Sequence, residues 1–318
     1  MVAALCCWST GAHAIEGPIA APSGGYDIRS AQLPQPGLYG GLAGFYAHGR
    51  GFYDASGQEV AAKKNINLAR TGGAGFLLYV PNADILGGRL GLFGELRAGQ
   101  VCGRLTTATR TNCAAGLGDP YLAVSWSRFF GNYHSSRFAG APPVSEGLWL
   151  SFGFGTILPL GEYNATEAAT YGTTVGNNVW DFAPAVAVTY TTPPLIADGT
   201  EVSARLQWNN YSTNPATNYA TGSTLRVDFA VSELIGPVQA GIAGSYGFEV
   251  EDDTRSGVSV APDGLRAEGL SLGPVLAVTM PGVGVLKVKA QVQAIAHNTS
   301  NAYGGAIIFA RKLWSPTP

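Results

Sequence analysis

The sequence predicts an all-β fold, an antiparallel transmembrane β-barrel of about twelve strands with the N- and C-termini periplasmic. Three observations point there. Charge is scarce beside ample apolar content, long segments alternate in hydrophobicity with period two, and the connections between them alternate long and short.

The chain has 318 residues, of which 46% are hydrophobic and only 13% charged. A typical soluble protein carries roughly 25% charged residues, so this chain needs somewhere to place apolar surface. A run of about 18 apolar residues, the minimum for a transmembrane helix, is absent. The most apolar stretches, such as Leu148 to Leu160, are broken by Gly, Pro or polar residues. A chain that meets lipid must then pair its backbone between strands of a closed barrel. The net charge of −2 and the scattered basic residues give no basic face for nucleic acid.

Alternation is clearest in four places. Val202, Ala204, Leu206 and Trp208 alternate with Glu201, Ser203, Arg205, Gln207 and Asn209. Leu225, Val227, Phe229 and Val231 alternate with Thr224, Arg226, Asp228 and Ser232. Leu286, Val288, Ala290 and Val292 alternate with Lys287, Lys289, Gln291 and Gln293, and Trp180 to Tyr190 behaves similarly. Period two places each set on one face of a strand. The expected strands are 38–48, 66–80, 87–99, 118–130, 147–159, 178–191, 200–211, 222–234, 236–250, 266–280, 283–297 and 302–313.

Alternation alone also suits a soluble β-sandwich. The connections decide for the barrel. Those at 49–65, 100–117, 160–177, 212–221 and 251–265 are mostly long and polar, whereas 81–86, 235–236 and 281–282 are tight. Long extracellular loops and short periplasmic turns produce this parity. Two connections break it: 131–146 is long for a turn, and 298–301 is short for a loop. Tyr39, Tyr79, Trp126, Phe129, Trp149, Trp180, Tyr190, Trp208, Tyr211 and Trp314 fall near strand ends, as aromatic girdles do.

Residues 1–14 read as the remnant of a signal peptide, with an apolar Val2–Trp8 and a small-x-small site at Ala12-His13-Ala14. The missing positive n-region points to a start upstream of Met1, and a frayed N-terminus is the alternative. Residues 15–36, rich in Pro and Gly, are expected to be a periplasmic N-terminal arm, 37–314 the barrel and 315–318 a tail. Cys6 and Cys7 would leave with the signal. Cys102 and Cys113 flank a polar stretch, and a disulfide between them would suit an oxidising compartment; two free thiols are the alternative.

Several segments resemble the family of outer-membrane barrels named for the meta-cleavage pathway of phenol degradation and labelled as transporters. The likeness rests on Leu33 to Leu42 (LPQPGLYGGL), Gly87 to Gly91 (GGRLG), Gly116 to Tyr121 (GLGDPY), Leu158 to Tyr163 (LPLGEY), Val175 to Tyr190 (VGNNVWDFAPAVAVTY) and Gly273 to Ala277 (GPVLA). The resemblance implies a barrel that lets small, aromatic or hydrophobic compounds cross the bacterial outer membrane. The sequence departs from barrel habit at its end, where Trp314 is followed by Ser-Pro-Thr-Pro instead of a terminal aromatic.

Catalytic chemistry finds little footing. His13, His48, His134 and His297 fall in separate elements without metal-ligand spacing, and Gly-x-Ser-x-Gly is absent. Gly72 to Gly75 read as packing residues in a strand. No catalytic, cofactor-binding or metal-binding residues are expected, and the chain is read as not an enzyme. Glu251, Asp252 and Asp253 could bind calcium or cations that bridge lipopolysaccharide; a solvated loop is the preferred reading. The expected lumen-lining residues are Arg205, Gln207, Arg226, Asp228, Glu249, Glu268, Lys287, Lys289, Gln291 and Gln293. The expected function is an outer-membrane channel for small solutes, its partners outer-membrane lipid and lipopolysaccharide and a small-molecule solute, with no nucleic acid. The alternatives are a non-transporting structural or surface-interaction barrel and, behind it, a barrel lipase.

Overall fold

The computed structural model describes residues 27–105 and 110–316. The expected signal remnant, most of the 15–36 segment and the last two residues lie outside them. Among the described residues, twelve antiparallel strands close on themselves. They are β1 (Gly37–Tyr53), β2 (Asn67–Val80), β3 (Arg89–Arg104), β4 (in two pieces, Asn112–Leu117 and Tyr121–His134), β5 (Val144–Ile157) and β6 (Asp181–Thr191). β7 (Gly199–Tyr211), β8 (Thr224–Ile235), β9 (Val238–Glu249), β10 (Glu268–Met280), β11 (Gly284–His297) and β12 (Thr299–Trp314) follow. Each strand pairs with its chain neighbours, and β1 also pairs with β12, Leu42 opposite Phe309, which leaves no sheet edge. The shortest strand, β6, has 11 residues, enough to cross a bilayer at a tilt.

The two faces of the wall differ as lipid on one side and a polar interior on the other demand. In β7, Glu201, Ser203, Arg205, Gln207 and Asn209 are buried, while Val202, Leu206 and Trp208 stand 43–47% exposed on the opposite face. In β8, Thr224, Arg226, Asp228 and Ser232 are buried and Val231 is exposed. Leu42, Leu77, Leu96, Phe152, Ile242, Val292 and Ile307 continue the apolar outer belt around the barrel. An apolar surface of this extent has no place in water and belongs in lipid.

Differences from expectation have local causes. The 100–117 loop shrinks to 105–111, because β3 runs on to Arg104 and β4 begins at Asn112. The long 131–146 connection shrinks to 135–143 as β4 and β5 pair as far as His134 and Val144. Of the aromatics expected at the lipid boundary, Tyr79, Trp180, Tyr190, Trp208 and Trp314 are exposed on the outside. Trp149 and Phe129 instead stack on each other inside, 4.8 Å between ring centroids, and Tyr211 also faces inward beside Asp181.

β4 breaks at Gly118-Asp119-Pro120. Pro120 has no N–H to donate to the ladder. The Asp119 carboxylate turns this break to use, accepting N–H bonds from Gly161 (2.8 Å) and Asn177 (2.7 Å). It thereby ties down the 158–180 connection. That connection carries the short helix α1 (Ala165–Tyr171), whose N-cap Asn164 accepts from Thr166 and Glu167.

Candidate functional site: the lumen and the segment inside it

The inner face of β6 to β11 carries polar side chains from one end of the barrel to the other. β7 alone contributes a column from Glu201 near the short-turn end to Asn209 near the long-loop end. Arg205 donates to Gln207 (3.1 Å) and Gln207 to Asn209 (2.5 Å) along this column. On β8, Arg226 binds the Asp228 carboxylate through Nε (3.0 Å) and Nη2 (2.8 Å) and also donates to Ser245 on β9. The register places Asp228 opposite Arg205 and Arg226 opposite Gln207, so these residues form one continuous polar layer. Lys287, Lys289, Gln291 and Gln293 project inward from β11, Gln291 reaching the Ala243 carbonyl at 3.5 Å and Gln293 accepting the Ala302 N–H at 3.0 Å. Glu249 is buried at the long-loop end and accepts the Ala267 N–H at 2.8 Å.

Glu268 is a correction. It pairs with Phe248 and His297 and hydrogen-bonds Tyr246 Oη (2.6 Å) and His297 Nδ1 (2.9 Å) on the outer face. Glu268 shares the outward parity of β10 with Leu276, which is 43% exposed, whereas Val275 and Ala277 face inward. The register shift at Leu270/Ser271 puts an extra residue into β11, and that single-residue slip turns His297 to the same outer face, where it meets Glu268.

Sequence reasoning missed the segment that enters this lumen. Residues 27–36, part of the expected N-terminal arm, lie inside the barrel at the end where the short turns are. The completely buried Asp27 carboxylate bridges Lys287 Nζ at 2.9 Å and Lys289 Nζ at 3.2 Å. The Arg29 N–H donates to Glu201 at 2.8 Å, and the Ala31 N–H donates to Thr189 Oγ1 at 3.1 Å. The Ala31 carbonyl accepts from Ser127 Oγ, and its methyl group packs on Trp149, Ala187 and Phe129. Arg89 Nη1 holds the Pro34 carbonyl at 3.2 Å. The segment thus crosses the lumen between walls more than a hundred residues apart in sequence. Glu201, one residue of the predicted alternation, is its main acceptor and also binds Gln239 at 2.9 Å.

At the opposite end the acidic loop residues have protein partners. Asp252 binds Arg266 (2.6 Å) and Ser259 (2.7 Å), and Glu251 accepts from Ser223 Oγ (2.7 Å). Asp253 is buried and accepts from Tyr219 Oη and the Gly222 N–H, so it pins two loops together instead of being solvated. Among the described residues the histidines also have non-serine neighbours: His48 meets Tyr303 and Asn67, His134 lies 3.3 Å from Glu146, and His297 meets Glu268. Cys102 and Cys113 are disulfide-bonded across paired positions of β3 and β4.

Residues 49–311 match the family described as "Putative MetA-pathway of phenol degradation". The chain belongs to this family. In architecture this family barrel is similar to an outer-membrane channel from Pseudomonas putida F1, with a TM-score of 0.73 at 15% identity over 92% of this chain and 99% of that one. It also resembles the transport unit of the autotransporter AIDA-I from Escherichia coli, with a TM-score of 0.49 at 13% identity over 90% and 92% of the two chains. No curated protein sequence matches it. Closed strands, an apolar outer belt and a polar interior make it an outer-membrane β-barrel.

Proposed function

We propose that this barrel passes small solutes across the bacterial outer membrane along its polar lumen. The observation that carries this reading is the unbroken polar column Glu201, Ser203, Arg205, Gln207, Asn209 on the inner face of β7. A barrel needed only as an anchor gains nothing from burying charge along its whole axis, since each buried polar group must be hydrogen-bonded to avoid a penalty. The short turns and both chain termini face the periplasm, the long loops face outward among lipopolysaccharide, and the belt contacts lipid. The family's description, with its reference to phenol degradation, supports cargo of small, aromatic or hydrophobic compounds. The protein acts as a conduit and not as an enzyme. Residues 27–36 make the described conformation a restricted one, so transport requires that segment to yield.

Planar-bilayer recording with purified protein tests the reading. Discrete conductance steps, together with uptake of small aromatic solutes into liposomes, are expected. A barrel that inserts and passes neither ions nor any solute overturns it and favours the non-transporting alternative, for which the occupied turn end of the lumen is the supporting observation.

A further inference from the structure

Lys287 and Lys289 stand two residues apart on one face of β11 and both point into the lumen. Like charges so placed repel, and in a low-dielectric interior they require an anion between them. The barrel's nearby acid, Asp228, is held by two bonds from Arg226. A carboxylate from outside the wall, Asp27 in the segment preceding β1, sits between the lysines. The residue following it, Ile28, packs on Ala230, Ala243 and Val275. That apolar patch adjoins the lysines by register: Val275 lies opposite Lys289 and Ala277 opposite Lys287 on the neighbouring strand β10. The wall therefore presents a cationic pair beside a small apolar hollow, and the chain fills it with a carboxylate attached to a branched hydrocarbon.

We propose that Lys287, Lys289 and the Ala230–Ala243–Val275 hollow form a binding site for a small carboxylate with a compact apolar body, and that Asp27-Ile28 occupies it as an internal stand-in for that ligand. The site refines the cargo to anionic compounds and rests on the reading of the lumen as a solute path. A carboxylate solute entering the lumen exchanges with Asp27 one for one. The charge beside the lysines is conserved, and residues 27–36 lose this anchor as the ligand arrives. A neutral solute brings no charge to replace the Asp27 carboxylate, so its exchange is disfavoured.

Calorimetric titration of the refolded full-length protein with benzoate tests this, with benzyl alcohol and acetate as comparisons. Asp27→Asn removes the competing carboxylate, and saturable benzoate binding is expected to strengthen by roughly ten-fold or more over the unsubstituted protein, the scale of a charge-assisted pair. Benzyl alcohol and acetate should bind much more weakly, lacking the charge and the apolar body respectively. Asp27→Asn/Lys287→Gln/Lys289→Gln, which removes the lysines together with the carboxylate they hold, should lose the binding. A heat-modifiable gel shift shows that each variant is folded; if the triple variant is not, Asp27→Asn/Lys287→Gln should show a partial loss. Equal benzoate affinity with and without Asp27, binding that survives loss of the lysines, or acetate binding as well as benzoate each overturns the proposal. Conductance is read separately. Benzoate binding without current keeps this site and removes the channel, whereas current without benzoate binding does the reverse.

Discussion

Asp198 accepts the backbone N–H of Gly236 at 3.0 Å, so the turn before β7 holds the turn between β8 and β9. The same carboxylate accepts from Ser136 Oγ at 2.5 Å and the Arg137 N–H at 2.8 Å, in the connection between β4 and β5. One side chain thus ties three turns at the end of the barrel where residues 27–36 enter. Gly236 has φ of 59°, a conformation that costs glycine little, and this aims its N–H at the acid. Asp198→Ala leaves these donors without their acceptor. The variant should be about 1–3 kcal/mol less stable to urea, the usual cost of losing bonds to a charged group.

The same residue carries a pH dependence. Burial opposes ionisation of Asp198, but the bonds from Ser136, Arg137 and Gly236 outweigh it and hold the carboxyl below its usual range. A depressed carboxyl stabilises fully above its unfolded value of about 3.9, and the contribution disappears as pH falls through the lower folded value. The stability difference between the natural protein and Asp198→Ala should therefore be constant from neutral pH to about pH 5 and shrink only below about pH 4. Unfolding midpoints of both proteins measured across that range check it; a difference that vanishes near neutrality would refute the role.

The disulfide makes a separate prediction. Cys102 and Cys113 are separated by 11 positions and close the loop between β3 and β4. Cross-linking restricts the unfolded chain, worth about 2–3 kcal/mol for a loop of this size. Cys102→Ala/Cys113→Ala should lower the unfolding free energy by that order, and reduction of the natural protein should match it. Alkylation under non-reducing conditions should label neither cysteine.

Much of the wall was legible because lipid forces period two on it. The alternation in Glu201–Asn209 and Thr224–Ser232 is that of strands with one polar and one apolar face, and β7 and β8 adopt it. Glu268 was misread although its parity on β10 matches the outward Leu276, because Gly269 and Gly273 on the inward parity blur the alternation there. Trp149 and Phe129 were placed on the wrong face because an aromatic near a strand end suits either a lipid boundary or a lumen. Both sit on the inward parity of their strands, beside the inward Ser151 and Ser127, and that parity was the available signal. The 27–36 segment gave no signal. Its bonds run largely from its own backbone to side chains on distant strands, and its composition reads as a loose arm.

The two faces differ sharply at adjacent residues. Arg205 is buried in the lumen, while Leu206 is 43% exposed on the outer belt between Val186 and Val227. Leu206→Arg places a charge where only hydrocarbon is available. It should cost about 2–4 kcal/mol in unfolding from lipid vesicles, as charged residues do near the membrane midplane. An undiminished stability would show that this face meets water and that the chain is not a membrane barrel.

Ala31 offers the most direct test of whether residues 27–36 restrict the lumen. It is 1% exposed and its methyl group touches Trp149, Ala187 and Phe129, with no space for a longer side chain. Ala31→Glu would bury a carboxylate against those rings without a partner, at a cost of several kcal/mol. The barrel strands do not include residue 31, so the segment can escape that cost by leaving its niche while the wall stays paired. The variant should show an unchanged heat-modifiable shift, because the strand ladder is intact. It should also show a larger single-channel conductance in planar bilayers, and Trp149 fluorescence should shift to the red as the ring loses its cover. If conductance stays equal to that of the natural protein while the Trp149 signal shifts, the segment has moved and was not what restricted the path.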